Sequence, residues 1–262
     1  MNVNFIGWAA VCAGVIAFRF AFIRVHPLES GWRVAWFLVL GLCSVPALLF
    51  TVHYLHVLPE RAWFYELRSW RGSEFLAVPL GAAAGCLATL FPRKLLGLFL
   101  IFSITTTVIP YTKTVFAPLP SGAFHDDWKD RACLQSTPST CGPASIATIL
   151  KSLGIETSER EIARHAYTYA GGTEAWYLAR HVRSLGLNAR FDFRPGLPDD
   201  KELPALVGVR LGGYGHFIPI ISREGDILTI ADPLRGMETV TLKELEKRCS
   251  LTGFHLSIRK IH

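Results

Sequence analysis

Four stretches of this chain, roughly residues 4–23, 34–57, 75–92 and 95–112, are almost wholly apolar. Each is close to the ~20 residues that a helix needs to cross the hydrocarbon core of a bilayer. No other feature narrows the fold as much, because in lipid every backbone N–H and C=O must be satisfied inside the structure, and a run of this kind is expected as a helix. A Pro/Gly breaker, PLPSG at 118–122, ends this pattern, and the residues beyond it have the charge density of a water-soluble domain. We therefore expect two domains, a transmembrane helical one at 1–117 and a soluble one at 118–262.

Half of the 262 residues are hydrophobic and only 18% are charged. The net charge of +6 sits mostly on the apolar half: residues 1–117 hold nine Lys/Arg and four Glu, a net of +5, against +1 for the remainder. Basic residues between apolar runs serve lipid headgroups and topology. No basic stripe or base-stacking motif accompanies them, so a lipid bilayer is an expected partner and nucleic acid is not. The opening MNVN has no positive n-region and no small-residue cleavage site comes after it, so the first run is read as a span rather than a signal peptide. Val11 and the uncharged start speak against lipidation of Cys12.

Four spans would leave both ends of the chain on one side. The loops 24–33 and 93–94 carry two Arg and an Arg-Lys pair, largely uncompensated, and the positive-inside rule places them in the cytoplasm and the domain 118–262 outside. Gly81 and Gly85 form a GxxxG pattern that lets two helix backbones approach. Arg19 and Arg24 are read as headgroup anchors, and His53 with His56 as interfacial residues rather than a metal pair. The segment PERAWFYELRSWRGSE, 59–74, mixes charge with aromatics and reads as a short amphipathic helix on the membrane surface.

In the soluble half, CGPASIATILKSLG at 141–154 has Pro143 in its first turn, Ile146, Ile149, Leu150 and Leu153 at helical spacing and Gly154 as a stop. Ser158–Ala166 and Thr173–Leu185 read as two further capped helices, the first with Glu161 three residues after its cap. From Asn188 the period shifts to that of strands: NARFDF, ALVGVRL, HFIPIIS, ILTIAD and, after a helix at 241–248, GFHLSIRK. Helices ahead of an antiparallel sheet make an α+β domain. SREGDI joins the third and fourth strands as a hairpin, which brings His216 at the start of one near Asp232 at the end of the other.

Cys141 stands at the start of a helix, where the dipole favours a thiolate. If the sheet packs on that helix, His216 can act as base for the thiol and acid for a leaving amine, and Asp232 can orient the imidazole. Gln135, six residues before the cysteine, can offer a side-chain N–H beside the Cys141 backbone N–H to an oxyanion. Taken singly, a cysteine is more often a small buried residue, a histidine at a strand start structural, and an Asp before Pro a turn former. Their joint order outweighs those readings. His125, His165, His181, His255 and His262 have no such partner and are read as structural.

The motifs Gln135-x5-Cys141-Gly-Pro-Ala, Gly172-Thr173 opening a helix, Gly215-His216-Phe217 and Ala231-Asp232-Pro233 with Gly236 shortly after resemble those of the double-glycine bacteriocin-processing cysteine peptidases. The resemblance covers roughly 128–260, about half of the chain. It implies a papain-like fold, Cys141 as nucleophile, His216 as base, Asp232 as its orienter, Gln135 as oxyanion donor, and Gly172, Thr173 and Gly215 along the substrate. It also implies a peptide or protein substrate, a secretion-system partner, a bacterial inner membrane, and a periplasmic domain as in some stand-alone relatives. No P-loop is present, so this chain is not itself an ATP-driven pump.

No cofactor and no metal are expected: a zinc site built on Cys133, Cys141 and Cys249 fits no common spacing. Cys133 and Cys249 could instead pair as a disulfide in an oxidising compartment. Glu174, Trp176 and Tyr177 are candidates for a cleft wall, with core as the ordinary reading. Two other functions stay open from the sequence alone, a non-catalytic module that only holds a secretion substrate, and an amidase or peptidoglycan hydrolase on the same triad.

Overall fold

A computed structural model describes residues 3–55 and 57–261. His56, one half of the His53/His56 pair, and His262 lie outside the described residues. The chain divides into two compact units: a helical unit of Val3–Glu60 and Arg71–Phe116, and a sheet unit in which Arg61–Trp70 joins the residues from Ala117 onward.

In the helical unit α1 (Phe5–Val25) starts at Asn4, whose side chain accepts the Gly7 N–H at 2.9 Å. Helices α2 (Ser30–Cys43) and α3 (Val45–Tyr54) meet at a bend of 51°. Pro46 has no N–H to return to Leu42, and the Ser44 hydroxyl bonds back to the Leu40 carbonyl at 2.6 Å, so the i→i−4 ladder is interrupted there. The next helix in sequence, α4 (Ala62–Ser69), belongs to the other unit. A 3-10 turn at Ser73–Ala77 leads into α5 (Val78–Ala88), and α6 (Leu96–Phe116) comes after a turn at Arg93–Leu95.

Among the described residues two helical stretches, Phe5–Val25 and Arg93–Phe116, are long and apolar enough to cross a membrane, or three if α2 and α3 are one bent span. Four were expected, and the third run is the one left out. The third run yields only Ser73–Ala88, about 25 Å of helix against the ~30 Å of hydrocarbon, because its first residues tighten into a 3-10 turn and the chain breaks before Pro92. This short helix is packed among α1, α2 and α6. A Cβ on Gly81 or Gly85 would strike the backbone carbonyl of Gly14 or Phe18 in α1, so the GxxxG pattern here brings two helix backbones into direct contact.

The sheet unit is α+β. Its six strands β3 (Leu187–Phe193), β4 (Ala205–Leu211), β5 (Tyr214–Glu224), β6 (Ile227–Asp232), β7 (Gly236–Thr241) and β8 (Ser250–Lys260) pair antiparallel in the order β3-β8-β4-β5-β6-β7. A two-stranded ribbon, β1 (Trp128–Lys129) with β2 (Ala132–Cys133), precedes them. Helix α7 (Cys141–Ser152) lies on β5 and buries Ile146, Ile149 and Leu150 completely. Two shorter helices, α8 (Glu159–His165) and α9 (Ala175–Ser184), flank it. The last, α10 (Leu242–Arg248), is opened by Thr241 and Glu244, each bonding the other's backbone N–H.

The segment expected on the membrane surface is placed differently. Helix α4 docks on the sheet unit: the Tyr65 ring meets Phe193 at 5.0 Å, Phe191 at 5.3 Å, Trp176 at 5.5 Å and Phe254 at 5.9 Å. The Glu66 carboxylate accepts the Phe191 N–H at 2.8 Å and pairs with Arg183. It thereby occupies the edge of β3, where an unpaired strand would otherwise offer its backbone to other chains. The Arg180 guanidinium donates to the carbonyls of Arg68 and Trp70, both at 2.9 Å. Amphipathicity is visible in a sequence, but not whether its apolar face meets lipid or protein.

This docking makes a contrast between neighbours. Phe64 is 3% exposed and Trp63 48% exposed. Phe64→Ala should destabilise the sheet unit by about 3–5 kcal/mol, and Trp63→Ala should leave it nearly unchanged. Urea unfolding of the full chain in detergent, read by hydrogen exchange in α9 and β3, checks this, and equal effects would remove α4 from the core.

Candidate active site

The hairpin of β5 and β6 sets His216 against Asp232. Imidazole Nε2 lies 3.0 Å from Asp232 Oδ1, with both side chains buried. The same Oδ1 accepts the Leu234 N–H at 2.9 Å, and Arg235 Nε stands 3.8 Å from Oδ2. Burial works to raise the Asp232 pKa, but the His216 hydrogen bond, the Leu234 N–H and the nearby positive charges reverse this and hold it below the usual carboxylate range. The fixed carboxylate therefore engages one ring nitrogen of His216 and leaves Nδ1 for another partner.

The Cys141 side chain is the other group that acts on the His216 imidazole. Burial works to lower the His216 pKa, yet the bonds to Asp232 and Cys141 and the charges of both raise it from 6.5 to about 9. An imidazole raised in this way is an imidazolium at neutral pH. Burial, reinforced by Glu159, pushes Cys133 up to about 12, and burial with the charge of Asp232 raises Cys249.

The local sequence builds the cysteine's position. Thr140 is the N-cap of α7 but makes no cap bond; its hydroxyl accepts the Thr137 N–H and donates to the Thr137 carbonyl, both at 3.0 Å. The helix end thus keeps its N-terminal polarity beside the thiol. Gly142 admits close packing: a Cβ there would come within 2.9 Å of Leu178, 3.6 Å of Phe217 and 3.7 Å of Thr173. One turn on, Ser145 Oγ donates to the Phe217 carbonyl at 3.2 Å and ties α7 to the strand residue directly after His216. A mid-helix serine gives no local signal of its partner, so this role of Ser145 is not legible in the sequence.

Gln135 reaches the site through its backbone, whose N–H donates to the carbonyl of Pro233 at 2.9 Å. Its carboxamide nitrogen donates one proton to the Thr137 carbonyl at 2.8 Å, and its second proton remains for another acceptor. Gly172 has φ +122°, in the region that favours glycine, and closes a short turn against Tyr169. Thr173 comes next, with its hydroxyl 2.8 Å from that of Thr168 and its Cβ facing Gly142. Gly215 is exposed, next to His216, and nothing stands within 4 Å of where its Cβ would be.

Other expectations are resolved differently. Trp176 and Tyr177 are buried against Phe64, Tyr65 and Tyr167, so they are core rather than cleft. Cys133 and Cys249 are free thiols, not a disulfide. Cys133 is held beside α7, where its N–H meets Thr148 Oγ1 at 2.8 Å, and Cys249 sits just past α10, where its thiol meets the Leu245 carbonyl at 3.4 Å. Among the described residues no group of three or more His, Cys, Asp or Glu side chains is arranged to hold a metal ion.

Known proteins resemble part of this chain. An uncharacterised protein of Methanothermobacter thermautotrophicus is 36% identical over 107 residues, which are 41% of this chain and 74% of that one. The probable functional amyloid protease FapD of Pseudomonas aeruginosa is 28% identical over 122 residues, 43% of this chain and 54% of its own length. Among solved structures, the peptidase domain of ComA from Streptococcus, a bi-functional ABC transporter, is 21% identical with a TM-score of 0.41, covering 49% of this chain and 96% of that domain. The model of the Peptidase C39 family matches residues 129–260. That segment is just over half of the chain and contains Gln135, Cys141, His216 and Asp232, so the chain belongs to the Peptidase C39 family and its sheet unit is a cysteine peptidase domain.

Proposed function

We propose that the protein is a membrane-anchored cysteine endopeptidase in which Cys141 is the nucleophile, His216 the general base and acid, Asp232 its orienter and Gln135 an oxyanion donor. The placing of the Cys141 side chain against His216, and of His216 Nε2 3.0 Å from Asp232 Oδ1, carries this reading. A cysteine opening a helix against a His–Asp pair on an antiparallel sheet also supports a papain-like domain. The Cys141 thiolate attacks the substrate carbonyl carbon, and the resulting oxyanion takes hydrogen bonds from the free carboxamide proton of Gln135 and the Cys141 N–H. His216 Nδ1–H then gives its proton to the leaving amine as the C–N bond breaks. Water, deprotonated by His216, attacks the thioester, and collapse of the second tetrahedral intermediate releases the acid and restores the thiolate.

The substrate is a peptide segment of an exported or membrane-associated protein. Gly172, Thr173 and Gly215 carry little side-chain bulk, so a backbone carrying small residues, such as a Gly-Gly leader, would fit beside them. The helical half anchors the domain in the bilayer, where a secretion-system partner would deliver that substrate. Placement of the domain in the periplasm has the basic loops 24–33 and 93–94 share the cytoplasmic side, which crossings by α1 and α6 alone or by all four runs would both allow. The burial of α5 among α1, α2 and α6 supports it as the fourth, since a helix enclosed by neighbours need not match the full hydrocarbon thickness by itself.

Cys141→Ala should abolish cleavage of a Gly-Gly peptide by the detergent-solubilised chain together with its iodoacetamide labelling at the site. Retained cleavage sinks the enzyme assignment, and cleavage of a cell-wall peptide in place of the leader redirects it to an amidase. Gln135→Ala should lower kcat by about 10²–10³-fold with KM little changed.

The His216 pKa lies above its unfolded value of 6.5, so its pairing stabilises the fold fully below pH 6.5 and is lost as pH rises through about 9. The imidazolium that protonates the leaving amine disappears over the same range. The kcat/KM profile should therefore fall above pH 9, and Asp232→Asn should move that limb to lower pH. A profile flat to high pH, or a limb unmoved by the substitution, would remove His216 from the proton transfer. A reporter fused after His262 should read out as periplasmic.

A further inference from the structure

The loop carrying Gln135 is held from outside the reacting groups by a buried carboxylate. Glu159, the first residue of α8, is 0% exposed. Its Oε1 accepts the Ser136 N–H at 2.8 Å, and its Oε2 accepts a hydrogen bond from the Ser136 hydroxyl. The same Ser136 Oγ accepts the His125 N–H at 2.9 Å. On the other side of this dipeptide, Gln135 N–H is bound to the Pro233 carbonyl. The backbone at 135–136 is thus pinned twice, once to the residue after Asp232 and once to Glu159.

Glu159 is not needed to start its own helix. Ser158 is the cap of α8, its hydroxyl accepting the Glu161 N–H at 3.1 Å. Arg160 fastens the neighbouring stretch, through its N–H to Asp126 Oδ1 at 3.3 Å and its guanidinium to the Phe124 carbonyl at 3.2 Å. A carboxylate without exposed surface is costly to desolvate unless both oxygens are hydrogen-bonded. Here both are committed to one residue of the loop, 23 positions away in sequence.

We infer that Glu159 is a positioning residue for the peptidase reaction: through Ser136 it fixes the backbone from which the Gln135 carboxamide is aimed at the oxyanion. The inference rests on the role proposed above for Gln135. Removing the carboxylate leaves the thiol, the imidazole and Asp232 in place and lets the oxyanion donor drift.

The test compares Glu159→Gln, Ser136→Ala, Gln135→Ala and the Glu159→Gln/Gln135→Ala double variant in the full chain in detergent, with thermal unfolding as a control. Glu159→Gln should lower kcat for peptide cleavage by about 10–100-fold with KM within about twofold, less than loss of an oxyanion donor itself. Alkylation of Cys141 by iodoacetamide, a displacement that creates no oxyanion, should keep its rate within about twofold, since it needs only the thiolate. Affinity for a peptide aldehyde, which forms a tetrahedral adduct, should fall in parallel with kcat. The double variant should be no worse than Gln135→Ala alone, because one residue acts through the other.

Unchanged kcat, additive losses, or an alkylation rate that falls with kcat would each overturn the inference, the last by showing a structural role only. If Glu159→Gln does not fold, Ser136→Ala, which keeps the carboxylate, should still lose about 3–10-fold in kcat at constant alkylation rate, and full kcat there overturns it equally. A Gln135→Ala enzyme with full kcat would instead overturn the parent reading.

Discussion

The structure of the site depends on one line of contacts between a helix end and a hairpin: Cys141 to His216, and His216 Nε2 to Asp232 at 3.0 Å. The cysteine belongs to α7 and the other two to β5 and β6, so the line exists only while α7 keeps its seat on the sheet. Three local features hold that seat. Gly142 has no side chain to push Phe217 and Leu178 away, Ser145 donates to the Phe217 carbonyl, and Ile146, Ile149 and Leu150 are buried without remainder. Hydrogen bonding weakens steeply when geometry departs from linearity. A small shift of α7 would therefore separate the thiol from the imidazole well before it unfolded the domain.

The loops around the thiol are tied down by polar contacts from several directions. Ala170 N–H binds the Ala117 carbonyl at 2.8 Å, directly after the end of α6, and Pro118 pairs with Tyr169. Ser139 in turn donates to the Ala170 carbonyl. The first residues of the sheet unit after α6 are thereby hydrogen-bonded to the turn that carries Gly172 and Thr173, and that turn to the loop before Cys141. Helix α4 adds a second inserted piece, with Tyr65 in the aromatic cluster of Phe191, Phe193 and Phe254, and Phe254 touching Phe217 beside His216. The peptidase unit thus draws part of its core from a segment that lies between two apolar runs in sequence.

Several features were legible without coordinates because their signals are local. Pro143 and the spacing of Ile146, Ile149 and Leu150 announce α7, Thr241 with Glu244 announces α10, and SREGDI announces the turn that sets His216 beside Asp232. The GxxxG pattern read as a packing device meets α1 through Gly14 and Phe18. Other features were not legible. The third apolar run is shortened by a 3-10 turn, the second is bent at Pro46, and Gln135 spends one carboxamide proton on Thr137. None of these outcomes can be deduced from composition or period.

The sequence by itself determined that an apolar helical half precedes an α+β half, and that a cysteine, a histidine and an aspartate stand at element ends within the segment that the Peptidase C39 model matches. These properties depend on periodicity, caps and turn residues, which act over a few positions along the chain. Only the tertiary structure decided where α4 goes, that Cys133 and Cys249 stay apart as thiols, that Trp176 and Tyr177 are core, and that Glu159 holds Ser136. Each of these is a choice of partner beyond the nearest turns of the chain. Such a choice is made by which surfaces pack together, and no local pattern in the chain encodes it.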